Sequence, residues 1–291
     1  TTEDPIIDLK NSGYNIVGVV QTEYMDSHTS VDIRPNQQKS HTNSELESLF
    51  HSIKEEGLRS MLKPHLDVAD GSWRGMINPE NKDEWFRNYT NFIVHYAKMA
   101  EDNKVELLAV GTELKSLNGK ENRREWENVI DCVREVYSGK ITYAANWDDY
   151  KNVGFLDLVD VIGIDAYFPL SESKDPSLEE LLSGWKKWAD ELSDWQKIYG
   201  KDIVFTEIGY RSTDYAAREP WDYKTDRQIN QELQSRCYES VLKAFDDKPW
   251  FKGTFFWNWM PYKDAGGRFN TDFTPQNKLA EDVFLSMPEV K

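Results

Sequence analysis

Histidine and cysteine are scarce in this chain, and its basic side chains are outnumbered. The two cysteines, Cys132 and Cys237, stand far apart inside helical patterns, so they read as buried free thiols rather than a metal or redox pair. The five histidines, His28, His41, His51, His65 and His95, show no His-x-His or His-Glu-x-x-His spacing, and only His65 ends a strand. A catalytic metal is therefore disfavoured, and no cofactor is expected. A formal net charge of −16 withholds the basic face that nucleic acid or an anionic membrane requires. No apolar run approaches the roughly 18–20 residues of a membrane span. The opening TTEDPIIDLKNSG lacks the basic start and apolar core of a secretory signal. The compartment stays open: extracellular if a signal was removed upstream, cytoplasmic otherwise. No linker, repeat or low-complexity segment interrupts residues 1–291, so one catalytic domain, acting as a monomer, is expected.

Aromatics, by contrast, are plentiful. They make up 13% of the chain, with 11 Trp and 14 Tyr, more than core filling needs, and some should face a ligand. Short apolar runs at 15–20, 58–66, 105–113, 140–147, 160–168, 202–210 and 253–260 read as strands. Between them, 44–57, 85–103, 124–139, 178–195 and 228–245 carry helical periodicity. Continuous apolar strands alternating with crossover helices predict a parallel sheet covered on both faces. The expected fold is a (β/α)8 TIM barrel with its first strand before Thr1 or missing, since PIIDLKNSGYN reads as the helix and turn that lead into strand two. An open doubly wound sheet is the alternative, but no glycine-rich phosphate fingerprint follows any strand.

The C-terminal ends of the strands share a property that their apolar beginnings do not. They deliver Lys63, His65 and Asp67; Thr112 and Glu113; Asn146, Trp147 and Asp148; Asp165 and Tyr167; Glu207, Tyr210 and Arg211; and Trp257, Asn258 and Trp259. Each alone has an ordinary explanation as a cap, an ion-pair partner or core. Gathered at one end of a parallel barrel, where chemistry sits, they describe a site. Glycoside hydrolysis needs a carboxylic acid to protonate the leaving oxygen and a carboxylate to attack or to activate water. Glu113 and Glu207 end strands three apart in barrel order, fourth and seventh if a first strand precedes Thr1, and so can oppose each other. A separation of about 5–5.5 Å would mean retention and roughly 6.5–9.5 Å inversion. Tryptophan faces suit sugar rings, while Tyr210 and Arg211 are placed to favour an ionised nucleophile.

The stretches LKPHLDVADGSWRG, AVGTELKSL, YAANWDD, VIGIDAYFPL, VFTEIGYRS and FFWNW, in this order, resemble glycoside hydrolase family 113 over about residues 6–285. That family lies in clan A of retaining (β/α)8 glycosidases, and its characterised members are mainly β-1,4-mannanases. The resemblance implies Glu113 as acid/base and Glu207 as nucleophile, with Asn146, Tyr167 and Trp257 around the cleaved sugar. It further implies that Lys63, His65, Trp73 and Arg74 extend or brace the cleft, with Trp147, Asp165, Tyr210, Arg211, Trp221 and Trp259 as neighbours. The implied partner is β-mannan or a related oligosaccharide. Many clan A enzymes carry Asn directly before the acid/base; here Thr112 occupies that place, and a smaller hydroxyl there could accommodate an axial 2-hydroxyl. The alternatives are a β-glycosidase of other sugar or exo specificity, a carbohydrate-binding barrel without turnover, and a metal hydrolase.

Overall fold

The computed structural model describes residues 4–286. In chain order these form α1 (Pro5–Asn11), β1 (Ile16–Met25), α2 (Asn43–Glu55), β2 (Arg59–Val68), α3 (Lys82–Asp102), β3 (Leu107–Thr112), α4 (Arg123–Arg134), β4 (Lys140–Asn146), β5 (Ile162–Asp165), α5 (Leu178–Gln196), β6 (Ile203–Ile208), α6 (Gln231–Phe245), β7 (Phe251–Phe256) and α7 (Leu279–Ser286). All seven expected strands are present among the described residues; β1 to β5 pair in parallel in chain order, and so do β6 and β7. The chain divides into two compact units, Ile16–Asp165 and the combination of Thr1–Asn15 with Ala166–Lys291.

In Ile16–Asp165, β1 and β2 pair from Ile16 opposite Arg59 to Met25 opposite Val68. β1 therefore runs five residues past the apolar run at 15–20, through Gln21, Thr22 and Glu23, which read as loop in the sequence. Thr42 starts α2 with a capping box: its hydroxyl accepts from Glu45 N–H while the Glu45 carboxylate accepts from Thr42 N–H. The core between strands and helices is aromatic: Trp85 stacks on Tyr89 at 4.7 Å and Trp126 on Phe155 at 4.4 Å. No α-helix joins β4 to β5; two 3-10 turns, Tyr150–Asn152 and Leu156–Leu158, make the crossover. α4 stops at Arg134 rather than running to Gly139, and Tyr137 beyond it buries its ring and donates its hydroxyl to the Val105 carbonyl at 2.7 Å.

The other unit packs α5 and α6 over β6 and β7. Trp185, Phe205 and Phe245 are almost wholly buried and meet at centroid distances of 5.0–5.9 Å. Asn230 caps α6 by accepting from Leu233 N–H, so the helix begins at Gln231 and not at 228. α7, which lacks a clear periodic signal, closes the C-terminal side against α6, with Phe284 contacting Tyr238 and Phe256.

Candidate active site

In Ile16–Asp165, Lys63, His65 and Asp67 alternate along β2 and so share one face. The Lys63 ammonium donates to Asp165 Oδ1 at 2.7 Å, with the two side chains 1% and 0% exposed. β2 and β5 are separated by two strands. At about 4.8 Å per strand a flat sheet would hold them roughly 14 Å apart, so this contact requires the sheet to curl around it. A buried pair of this kind fixes that curvature, and neither charge could be left there alone. His65 is buried beside it.

Glu113 follows β3 with φ +52°. A glutamate in left-handed backbone is uncommon and costs of order 1 kcal/mol, and such residues concentrate at functional positions. Its conformation is held from β4: Glu113 N–H donates to the Ala144 carbonyl at 2.8 Å, and Leu114 N–H donates to the Tyr143 hydroxyl at 3.0 Å. The carboxylate meets two donors from the segment after β2. Trp73 Nε1 lies 3.4 Å from Glu113 Oε2, and Arg74 Nη1 lies 3.6 Å from the same oxygen. Arg74 also donates through Nη2 to Asp67, so one guanidinium is shared between two carboxylates. The Trp73 ring keeps 40% of its surface exposed. Asn146 ends β4 and donates to Asp148 Oδ1 at 2.7 Å, while Lys115 holds Asp148 Oδ2 at 2.9 Å. Trp147, between them, is half-buried, and the Thr112 hydroxyl is buried without a hydrogen-bond partner among the described residues.

In the other unit, Glu207 is 8% exposed in β6. The Tyr167 hydroxyl donates to its Oε2 at 2.9 Å, and its backbone carbonyl accepts from Ala166 N–H. Two residues on, a Cβ at Gly209 would lie 2.4 Å from the Trp257 carbonyl oxygen. The glycine after Glu207 and Ile208 thus exists to let β7 approach. Trp257 N–H donates to the Ile208 carbonyl at 2.7 Å, and the Trp257–Asn258 peptide is cis.

Of the remaining expected residues of this unit, Tyr210, Arg211 and Trp259 are packed or tie loops together, and Trp221 is exposed. Tyr210 is fully buried, edge-on to Tyr238 at 5.9 Å, and burial pushes its phenol pKa up. Arg211 ties two loops together: Nη1 donates to the Thr225 carbonyl at 2.7 Å and Nε to the Thr271 carbonyl at 3.1 Å. Trp259 packs edge-on to Tyr14 at 5.7 Å, whereas Trp221 is 42% exposed. Gln231 and Gln234 add further bonds from α6 to the carbonyls of Gly267 and Phe273. Neither glutamine had a sequence signal, because each looks like an ordinary polar helix position. Among the described residues, no group of three or more His, Cys, Asp or Glu side chains gathers as a metal site would require.

A model of Glycoside Hydrolase Family 113 matches residues 1–278. Among solved structures, a complex of a GH113 β-1,4-mannanase is 26% identical, with TM-score 0.87 over 97% of this chain and 92% of that chain. The GH113 β-mannanase AaManA from Alicyclobacillus acidocaldarius, in complex with ManMIm, is 27% identical, with TM-score 0.86 over 98% of this chain and 90% of that chain. Ruminococcus gnavus β-glucuronidase, at 14% identity and TM-score 0.65 over 96% of this chain and 45% of that chain, shares the fold alone. The parallel strands and their helices match a (β/α)8-barrel-like fold. No curated protein matches the chain.

Proposed function

Because the chain belongs to glycoside hydrolase family 113 and is a glycoside hydrolase, we propose that it is a retaining endo-β-1,4-mannanase acting on mannan, glucomannan or mannooligosaccharides. The substrate class rests on likeness to solved mannanases at 26–27% identity. The observation that carries the mechanism is that two strand ends each present a glutamate with its own set of donors. Glu207, under the Tyr167 hydroxyl, is the nucleophile. Glu113, beside Trp73 and Arg74, is the acid/base.

In the first step a Glu207 oxygen bonds to the anomeric carbon as the glycosidic C–O bond breaks. The Glu113 carboxyl proton passes to the departing oxygen. In the second step Glu113, now a carboxylate, takes a proton from water, whose oxygen displaces Glu207 from the anomeric carbon. A cation beside an acid ordinarily favours its ionised form. Here the Arg74 guanidinium is shared between Glu113 and Asp67, so its charge is divided between two carboxylates.

Release of reducing sugar from mannan and glucomannan, with a panel of β-glucans alongside, tests the substrate class. Azide separates the roles. A Glu207→Ala variant should form an α-mannosyl azide, and Glu113→Ala, on a substrate with an activated leaving group, a β-mannosyl azide. Inverted anomeric configuration in the first-formed product of the native chain would refute the double displacement.

A further inference from the structure

β1, the loop that follows it and α3 enclose a groove of about 750 Å³ that contains none of the residues around Glu113. That volume falls within the roughly 300–1,000 Å³ of small-ligand sites. The groove lies on the other face of β1. Tyr24 feels the charges of Asp67 and Arg74, and side chains alternate along a strand, so Glu23 points the opposite way, toward α3. There the Tyr96 hydroxyl donates to Glu23 Oε1 at 2.8 Å and accepts from Gln21 Nε2 at 3.2 Å.

The walls are fixed in advance. The Gln21 amide pairs both ways with the His41 backbone, donating to its carbonyl at 3.1 Å and accepting from its N–H at 3.2 Å. Ser40 Oγ donates to the Thr22 carbonyl at 2.6 Å, and Tyr24 and Arg34 form an antiparallel bridge. α3 contributes Asn88, Asn91 and His95 on one face of its middle turns. Asparagine and histidine each cost a helix interior about 0.5–0.7 kcal/mol relative to alanine; Asn88 answers that cost by donating to the Val31 carbonyl at 3.0 Å and His95 by pairing with Asn43 Oδ1 at 3.0 Å, which leaves Asn91 turned to the groove. The Asn91 side-chain amide makes no hydrogen bond among the described residues, and neither does the second oxygen of Glu23. Burial nonetheless pushes the Glu23 carboxyl up, because water reaches it poorly.

No lysine or arginine lines the groove, so a phosphate or carboxylate ligand would find no counter-charge. Besides the carboxylates of Glu23 and Asp32 and the imidazoles of His41 and His95, the lining offers amides and hydroxyls that both donate and accept, beside the apolar surfaces of Pro35 and Phe92. That combination matches a neutral, polyhydroxylated chain. We propose that the groove is a second carbohydrate-binding site, which grips a neutral polysaccharide segment on the face of β1 turned away from Glu113. Tethering a polymer at a second point raises its effective concentration at the first without any change in the chemistry.

The test compares the full native chain with Asn91→Ala/His95→Ala in native gels cast with mannan, glucomannan or mixed-linkage β-glucan. Hydrolysis of a short oligosaccharide is read in parallel. The double variant should bind the retarding polymer roughly tenfold more weakly while short-substrate kcat/KM stays within about twofold. Asn36→Ala, on the loop wall, repeats the test if the helix variant melts early. Equal retardation of variant and parent on every polymer, or no retardation of either, overturns the proposal. So does a groove-dependent response to spermidine with polymer binding unchanged. A chain that cuts none of these saccharides, yet loses polymer retention through Asn91 and His95, would sink the proposed function and leave the groove standing.

Discussion

Replacing Tyr167 by Phe removes one hydroxyl and leaves the ring, its contact with Phe273 at 6.4 Å and the backbone in place. The lost interaction is a 2.9 Å donation to a carboxylate that is 8% exposed. Hydrogen bonds to charged groups contribute about 1.5–3 kcal/mol net, and burial places this one in the upper part of that range. The donor stabilises ionised Glu207 over its protonated form, so its removal makes the proton harder to lose. At 1.36 kcal/mol per pH unit, the acid limb of kcat/KM should move upward by about 2 units. The alkaline limb, which belongs to the acid/base, should stay where it is. The assay is kcat/KM against pH on a short mannooligosaccharide, since that ratio reports groups in the free enzyme. Thermal unfolding of the variant serves as a control for folding. An acid limb that stays fixed, or moves downward, in a variant that melts normally would refute the assignment of Glu207 as the ionised nucleophile.

Asp165→Asn leaves the Lys63 ammonium buried opposite a neutral amide, and urea unfolding should show a loss of about 3–5 kcal/mol. The Lys63→Met/Asp165→Asn double variant should lose less than the sum of the singles, and a single-variant cost below about 1 kcal/mol would remove the ion pair from the account of sheet curvature. Lys278 is buried at 5% exposure, and its pKa is lowered from 10.5 to about 8 by burial, with the nearby Arg211 charge adding to the effect. The folded chain therefore releases this proton near pH 8 while the unfolded chain keeps it to about 10.5. Stability carries the full penalty below pH 8 and recovers it as pH rises toward 10.5, on the order of 3 kcal/mol in all. Lys278→Met should flatten that rise relative to the native chain in urea titrations at pH 7.5, 8.5 and 9.5, and parallel slopes would count against it.

β2 to β6 were legible because parallel strands buried on both faces appear as unbroken apolar runs, and β7, though less buried, keeps its aromatic run. β1 was read short for the complementary reason. Gln21 and Glu23 alternate with Thr22 and Tyr24, and a polar stretch resembles a loop until Tyr96 and His41 are seen to satisfy it. The strand-end pattern gathered Lys63 with Asp165 and Tyr167 with Glu207, pairs 102 and 40 residues apart, without indicating which would touch. What stayed hidden was division of labour. Arg211, next to Tyr210 and close after Glu207, looks in sequence like a partner for the carboxylate, yet its guanidinium ties the loops at Thr225 and Thr271. Arg74, far from Glu113 in the chain, stands 3.6 Å from it.

The same difficulty shows why strand-end charges must be sorted by their partners. Asp165 and Glu207 are both buried carboxylates at the ends of parallel strands, and composition cannot tell them apart. Asp165 faces an ammonium at 2.7 Å with both side chains sealed from water, so bonding its oxygen to carbon would take a buried counter-charge from Lys63. Glu207 accepts from the neutral Tyr167 hydroxyl, which in the proposed double displacement can follow the carboxylate as its charge disappears into a glycosyl ester and returns on hydrolysis. A nucleophile must be able to lose its charge cheaply, and an ion pair of that depth forbids it. By this argument Asp165 suits a structural place, and Glu207 fits the nucleophile's role proposed for it.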